Sequence, residues 1–186
     1  MRPFIRRRHK SIYTAYTADR HVNLIYSYTP ETAKAILSMW KTCVKPSHIK
    51  PRNRELAILA LCSVYDAPYV AYCHRIAGKM VGLTGEQIED ALDGKEPQGL
   101  DDEEVAAYRL GRALSETRGP LHDDVFSSIT SKMEKSQAVG VANIIGGYLW
   151  IVTLIQLNGE DRRWVSIAFC LGHLFNLFGI QVSGLL

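Results

Sequence analysis

The sequence of 186 residues contains no C-x-x-C pair, no internal repeat, no low-complexity segment and no strand-like alternation beyond a few residues. The four cysteines, Cys43, Cys62, Cys73 and Cys170, are scattered. That spacing suits reduced thiols rather than a disulfide framework and disfavours a zinc site, whose ligands cluster at short intervals. Reduced, mostly buried thiols in a cytoplasmic protein are the expectation, and no metal or cofactor is called for. No apolar h-region or small-residue cleavage site follows the basic start, so a signal peptide is not expected. Interleaved aromatics, a recognition helix and zinc-finger spacing are missing too, which leaves no basis for nucleic-acid binding. Net charge is only +3. Five of the 22 Lys and Arg residues crowd the first ten positions, at Arg2, Arg6, Arg7, Arg8 and Lys10, and the rest of the chain is slightly acidic.

What is present is helix. A hydrophobic share of 47% with 22% charged residues suits one globular domain large enough to bury a core. Residues 1–28 read as a basic arm rich in Tyr and Thr, 29–158 as a helical domain, and 159–186 as an apolar tail. Thr29-Pro30-Glu31 gives a helix start, with a hydroxyl cap, proline at the first helical position and an acid in the first turn. A second helix is expected from about Arg52 to Tyr65, with Glu55, Ile58, Leu59, Cys62 and Tyr65 along one buried stripe. Asp66 is expected to cap the next helix, Pro68 to fit its first turn, and Gly82 to end it in the left-handed conformation. Thr84 with Gln87, and Asp101 with Glu104, have capping-box spacing. Helices from about His122 to Glu134 and from about Ser136 to Leu157 follow. The fold class is all-α.

Two runs, Val139–Leu157 and Val165–Leu186, carry no charged residue. By length either could cross a bilayer. Asn143, Thr153, Gln156 and several glycines favour a central core helix for the first run. A tail that packs on the fold or buries itself in an oligomer is expected for the second, with membrane association the alternative.

The residues with chemical potential lie in the hairpin Arg54–Gly82. Glu55 and His74, nineteen residues apart, fall on successive helices that the break at Asp66-Ala67-Pro68 folds together. A carboxylate beside an imidazole fixes its tautomer and readies it for proton transfer. Tyr69 and Tyr72 are near enough in sequence to orient a substrate oxygen. Cys73 points about 100° away from His74 on a helix. The same two residue types also make purely structural hydrogen-bonded pairs.

This hairpin resembles the carboxymuconolactone decarboxylase superfamily, whose other branch is the alkylhydroperoxidase D type. The resemblance rests on the helix start Arg54-Glu55-Leu56 with its apolar run, the stretch APYVAYCH ending at His74, Gly82-Leu83, and the segment Glu86 to Glu89. The segment DDEEVAAYRLGRAL from Asp101 and the long helix from Gln137 resemble the later helices, so coverage runs from about Pro30 to Asn158. The resemblance implies a helical bundle built around the hairpin, assembled as a homo-oligomer, trimer or hexamer, without a cofactor. It further implies a lyase or isomerase that acts by acid–base proton transfer on a carboxylated lactone, β-keto acid or polyketide-like acid. In that reading His74 transfers the proton and Glu55 orients it. Tyr69 or Tyr72 binds an oxygen, and Arg54 or Arg75 a substrate carboxylate. The cysteines of the peroxidase branch would fall at Ala67 and Val70, so a dithiol cycle has neither nucleophile nor resolving partner. A redox protein using unpaired thiols and a non-catalytic binding or scaffold member are the rival readings.

Overall fold

The computed structural model describes residues 29–158, and the expectations for the basic arm and the apolar tail lie outside them. The described residues form seven helices and no strand: α1 (Pro30–Cys43), α2 (Pro51–Val64), α3 (Pro68–Met80), α4 (Gly85–Leu92), α5 (Asp102–Glu116), α6 (Asp123–Thr130) and α7 (Lys135–Asn158).

Helix α2 is the axis of the bundle, packed against α3, α4, α5 and α7. Every residue from Asn53 to Leu61 is buried, and Leu56 to Leu61 expose no surface. The expected single stripe is therefore corrected to a helix enclosed on all sides. Its LAILAL core is apolar all round, which is the pattern of a central rather than a surface helix. One side of α2 joins a core with Ile58 and Leu61 against Val70, Ala77, Ile144 and Ile145. The other joins a smaller core with Leu56 and Leu59 against Leu83, Ile88 and Tyr108. At the N-terminal ends of α2 and α5, Arg52 pairs with Glu104 at 2.5 Å, and Asn53 donates to Glu103 at 2.6 Å.

The hairpin ends where local chemistry directs. Gly82 has φ of +86°, which a side chain would resist. The Leu83 N–H donates to the Gly78 carbonyl at 2.9 Å and the Gly82 N–H to Lys79 at 3.0 Å, the paired bonds that close a helix C-terminus. At the start of α3 the expected cap is corrected. Ala67, not Asp66, occupies the cap position, no side chain caps the helix, and Pro68 opens it. Proline has no N–H to satisfy there, which lessens the need for a capping oxygen.

Both capping boxes form. Thr84 accepts from the Gln87 N–H at 3.1 Å while Gln87 accepts from the Thr84 N–H at 3.0 Å. Asp101 and Glu104 do the same for α5. Thr84→Ala is expected to cost about 1 kcal/mol. That is a fall of roughly 2–4 °C in Tm for a chain of this size, readable by thermal unfolding.

Helix α6 stops four residues before the expected end at Glu134. Its hydroxyls bond back to carbonyls one turn earlier, Ser128 to Val125 at 2.9 Å and Thr130 to Phe126 at 2.8 Å, and such bonds compete with helix propagation. Helix α7 is long and apolar enough, over Lys135–Leu154, to cross a membrane by length and composition, and half of that window is buried in the fold. Val141, Ile144, Ile145, Tyr148, Ile151 and Val152 form its inner face. Gly147 lies under the Trp40 ring, where a Cβ would come within 2.5 Å of the indole.

Candidate functional site

Three helices bring one side chain each to a point inside the bundle. Glu55 comes from the second turn of α2, His74 from the middle of α3 and Tyr148 from the middle of α7; none of the three exposes any surface. His74 Nδ1 lies 2.6 Å from Glu55 Oε2, and His74 Nε2 lies 2.6 Å from the Tyr148 hydroxyl. Arg54 Nε donates to the other Glu55 oxygen at 2.8 Å. The result is a chain of contacts running Arg54, Glu55, His74, Tyr148 through the core.

The ring of Tyr148 is held on two sides. It meets His74 edge-on at 5.2 Å between centroids and Trp40 edge-on at 5.0 Å. Edge-to-face contacts of this kind fix ring orientation beyond what burial alone does. The hydroxyl is thus directed at Nε2 by packing as well as by its hydrogen bond.

Burial alone would push the Glu55 carboxyl upward, but the charges and hydrogen bonds of His74 and Arg54 outweigh it and hold the carboxyl below its ordinary value. Glu55 is therefore a carboxylate at neutral pH. As an acceptor it takes the Nδ1 proton of His74, which fixes the ring. Nε2 then accepts from the Tyr148 O–H in the neutral imidazole, or donates to the Tyr148 oxygen when the ring is doubly protonated. Burial first, and the Glu55 charge second, push the Tyr148 hydroxyl well above its ordinary value. A thiol close by behaves similarly: burial pushes Cys62 up to about 12, with Arg75 opposing and Cys73 and Glu55 adding to the rise.

Of the residues singled out by sequence, Glu55 and His74 are brought together. Arg54 lies against Glu55, its Nε donating to that carboxylate. Arg75 is half-exposed and pairs with Glu89 through two bonds of 2.7 and 3.1 Å. Tyr72 is half-buried and packs against the larger core. Tyr69 lies in the first turn of α3, with its side chain outside the description. Tyr148 was not anticipated, although a buried tyrosine in a charge-free run needs a partner for its hydroxyl, and that need was the available signal.

Among the described residues no group of three or more His, Cys, Asp or Glu is placed to hold a metal. Two surface grooves, of about 550 Å³ beside Arg52 and Glu104 and about 350 Å³ beside Arg109 and Ile129, are not lined by Glu55, His74 or Tyr148.

Residues 30–113 match the family model described as the Carboxymuconolactone decarboxylase family. No curated protein and no solved structure matches the chain. The matched stretch takes in α1 to most of α5, with Glu55 and His74 inside it and Tyr148 beyond it.

Proposed function

With residues 30–113 carrying the carboxymuconolactone decarboxylase family pattern, we propose that this chain is a cofactor-independent lyase or isomerase working by proton transfer. Its substrate is a carboxylated lactone, a β-keto acid or a related polyketide-like acid. The observation that carries the reading is the fully buried Glu55–His74 pair at 2.6 Å. Placing a carboxylate, an imidazole and a guanidinium in a helical core costs several kcal/mol per ion, which apolar residues of similar volume would avoid. Perturbed titratable groups kept at that cost concentrate where function is.

Loss of carbon dioxide from such a substrate leaves an enolate that must receive a proton at carbon, and a positioned imidazole unit supplies one. Thiol redox chemistry is the poorer fit. Ala67 and Val70 stand where a dithiol would be, and a Cys62 thiol at about 12 remains protonated at neutral pH, so it is a weak nucleophile. Assembly as a homo-oligomer, trimer or hexamer, and a cytoplasmic location belong to the same proposal. The outer face of α7 supports assembly, since it exposes Val139 and Leu157 without a charged neighbour on that helix past Lys135.

The test is turnover of carboxymuconolactone and acetoacetate by purified protein in deuterated water. The product should carry deuterium at the enolate carbon that takes up the proton after carbon dioxide leaves, and His74→Gln should lower the rate by about 100-fold or more. A purified wild type that binds either compound but turns over neither would favour the non-catalytic reading.

A further inference from the structure

Both ring nitrogens of His74 are occupied, Nδ1 by Glu55 and Nε2 by the Tyr148 hydroxyl, each at 2.6 Å. An imidazole held this way has no third position to offer a substrate. A phenol oxygen is different, since it carries one proton and two lone pairs. With one of these used on Nε2, the Tyr148 hydroxyl keeps a further position for a second partner. We propose that Tyr148 is the catalytic residue that touches the substrate, and that His74 and Glu55 are positioning residues that supply its proton. This rests on the proton-transfer reading above and names the group through which that transfer runs.

The step balances without any further reagent. The bond between the substrate carbon and its carboxylate breaks, carbon dioxide leaves, and the electron pair stays on carbon as an enolate. The Tyr148 O–H bond then breaks and its proton forms the new C–H bond. The phenol oxygen takes the Nε2 proton of the doubly protonated His74, so no free tyrosinate accumulates. Water returns one proton to His74, which matches the one proton consumed for each carbon dioxide released.

Packing favours this assignment over a purely structural hydroxyl. Trp40 and His74 hold the ring edge-on from two sides, so the oxygen is fixed while its proton alone can turn. The α7 backbone is pinned at the adjacent residue, because Gly147 lies against the Trp40 ring. With the hydroxyl pushed well above its ordinary value, Tyr148 rests as the protonated acid and not as a base. Donation from His74 Nε2 makes so weak an acid effective, because the charge left on oxygen is neutralised as it forms.

The experiment compares wild type, His74→Gln, Tyr148→Phe and a chain carrying fluorotyrosine at 148, with carboxymuconolactone and acetoacetate as probes. Tyr148→Phe should lower kcat by about 100-fold with little change in KM. Fluorotyrosine, a stronger acid with the same shape, should raise kcat on its pH-independent plateau, because the rate of proton donation follows the acidity of the donor. A structural hydroxyl would leave that plateau unchanged. If Tyr148→Phe fails to fold, the plateau decides alone. Wild-type activity lost in His74→Gln but kept in Tyr148→Phe, or an unchanged plateau, overturns the role of Tyr148 and leaves His74 as the group meeting substrate. A wild type inert toward both probes, or a fully active His74→Gln, overturns the proton-transfer reading and this assignment with it.

Discussion

Glu55→Ala is expected to lower the free energy of unfolding by about 3–5 kcal/mol. Removing the carboxylate leaves His74 Nδ1 and Arg54 Nε buried without the acceptor they now share, and an uncompensated charge inside a bundle is far more costly than the absence of the whole pair. Since single domains are stable by about 5–15 kcal/mol, the loss is a large part of the total. Glu55→Gln keeps the shape and one acceptor oxygen and should lose less. The pH dependence follows from the direction of the Glu55 shift. Its folded-state carboxyl lies below the ordinary value of 4.5. The stabilisation is therefore fully present above that ordinary value and disappears as pH falls through the lowered one. Urea unfolding of wild type and Glu55→Gln should differ most near pH 7 and converge in acid. A gap that stays constant from pH 7 to pH 3 would show that the carboxylate charge contributes nothing.

The part of this site that sequence made legible is the part encoded locally. The break at Asp66-Ala67-Pro68, the C-terminal closure at Gly82 and the two capping boxes are each written within four or five residues, so the hairpin and the approach of Glu55 to His74 follow from them. Tyr148 is not encoded that way. It meets His74 across 74 positions of chain, and only the packing of α7 against α2 and α5 decides which of its residues faces the imidazole. The pairing of Arg54 with Glu55 was hidden for a different reason. Neighbouring residues on a helix ordinarily face apart, so adjacency to Glu55 did not suggest an ion pair. Asp66 shows the limit of local signals, because a good capping residue stood one position too early. The all-round burial of α2 was present in its composition, but stripe counting with a 3.6-residue period imposes a solvent face on a helix that has none.

Gly111→Ala should be the most damaging single-carbon addition at the contact between α2 and α5. A Cβ at Gly111 would lie 2.8 Å from the Ala57 Cα and 2.9 Å from its carbonyl oxygen, both backbone atoms that no rotamer change can move. The two helices would have to separate, and α2 is poorly placed to retreat. Its opposite side is closed by Ile58 and Leu61 against α3 and α7, where interiors are close-packed and transmit strain. Overpacking of this kind costs about 1–3 kcal/mol or more. Each kcal/mol lost lowers Tm by roughly 2–4 °C for a chain of this length. Gly85→Ala is the matched control, since nothing lies within 4 Å of its added carbon and the loss of chain entropy in the unfolded state should leave stability equal or slightly higher. Ala57 stands two residues after Glu55, so a displacement of α2 large enough to admit the methyl group also moves the carboxylate relative to His74. Turnover in Gly111→Ala should therefore fall below that of Gly85→Ala even at temperatures where both remain folded. Equal stability and equal rates in the two variants would mean that the α2–α5 approach is relieved without moving the site.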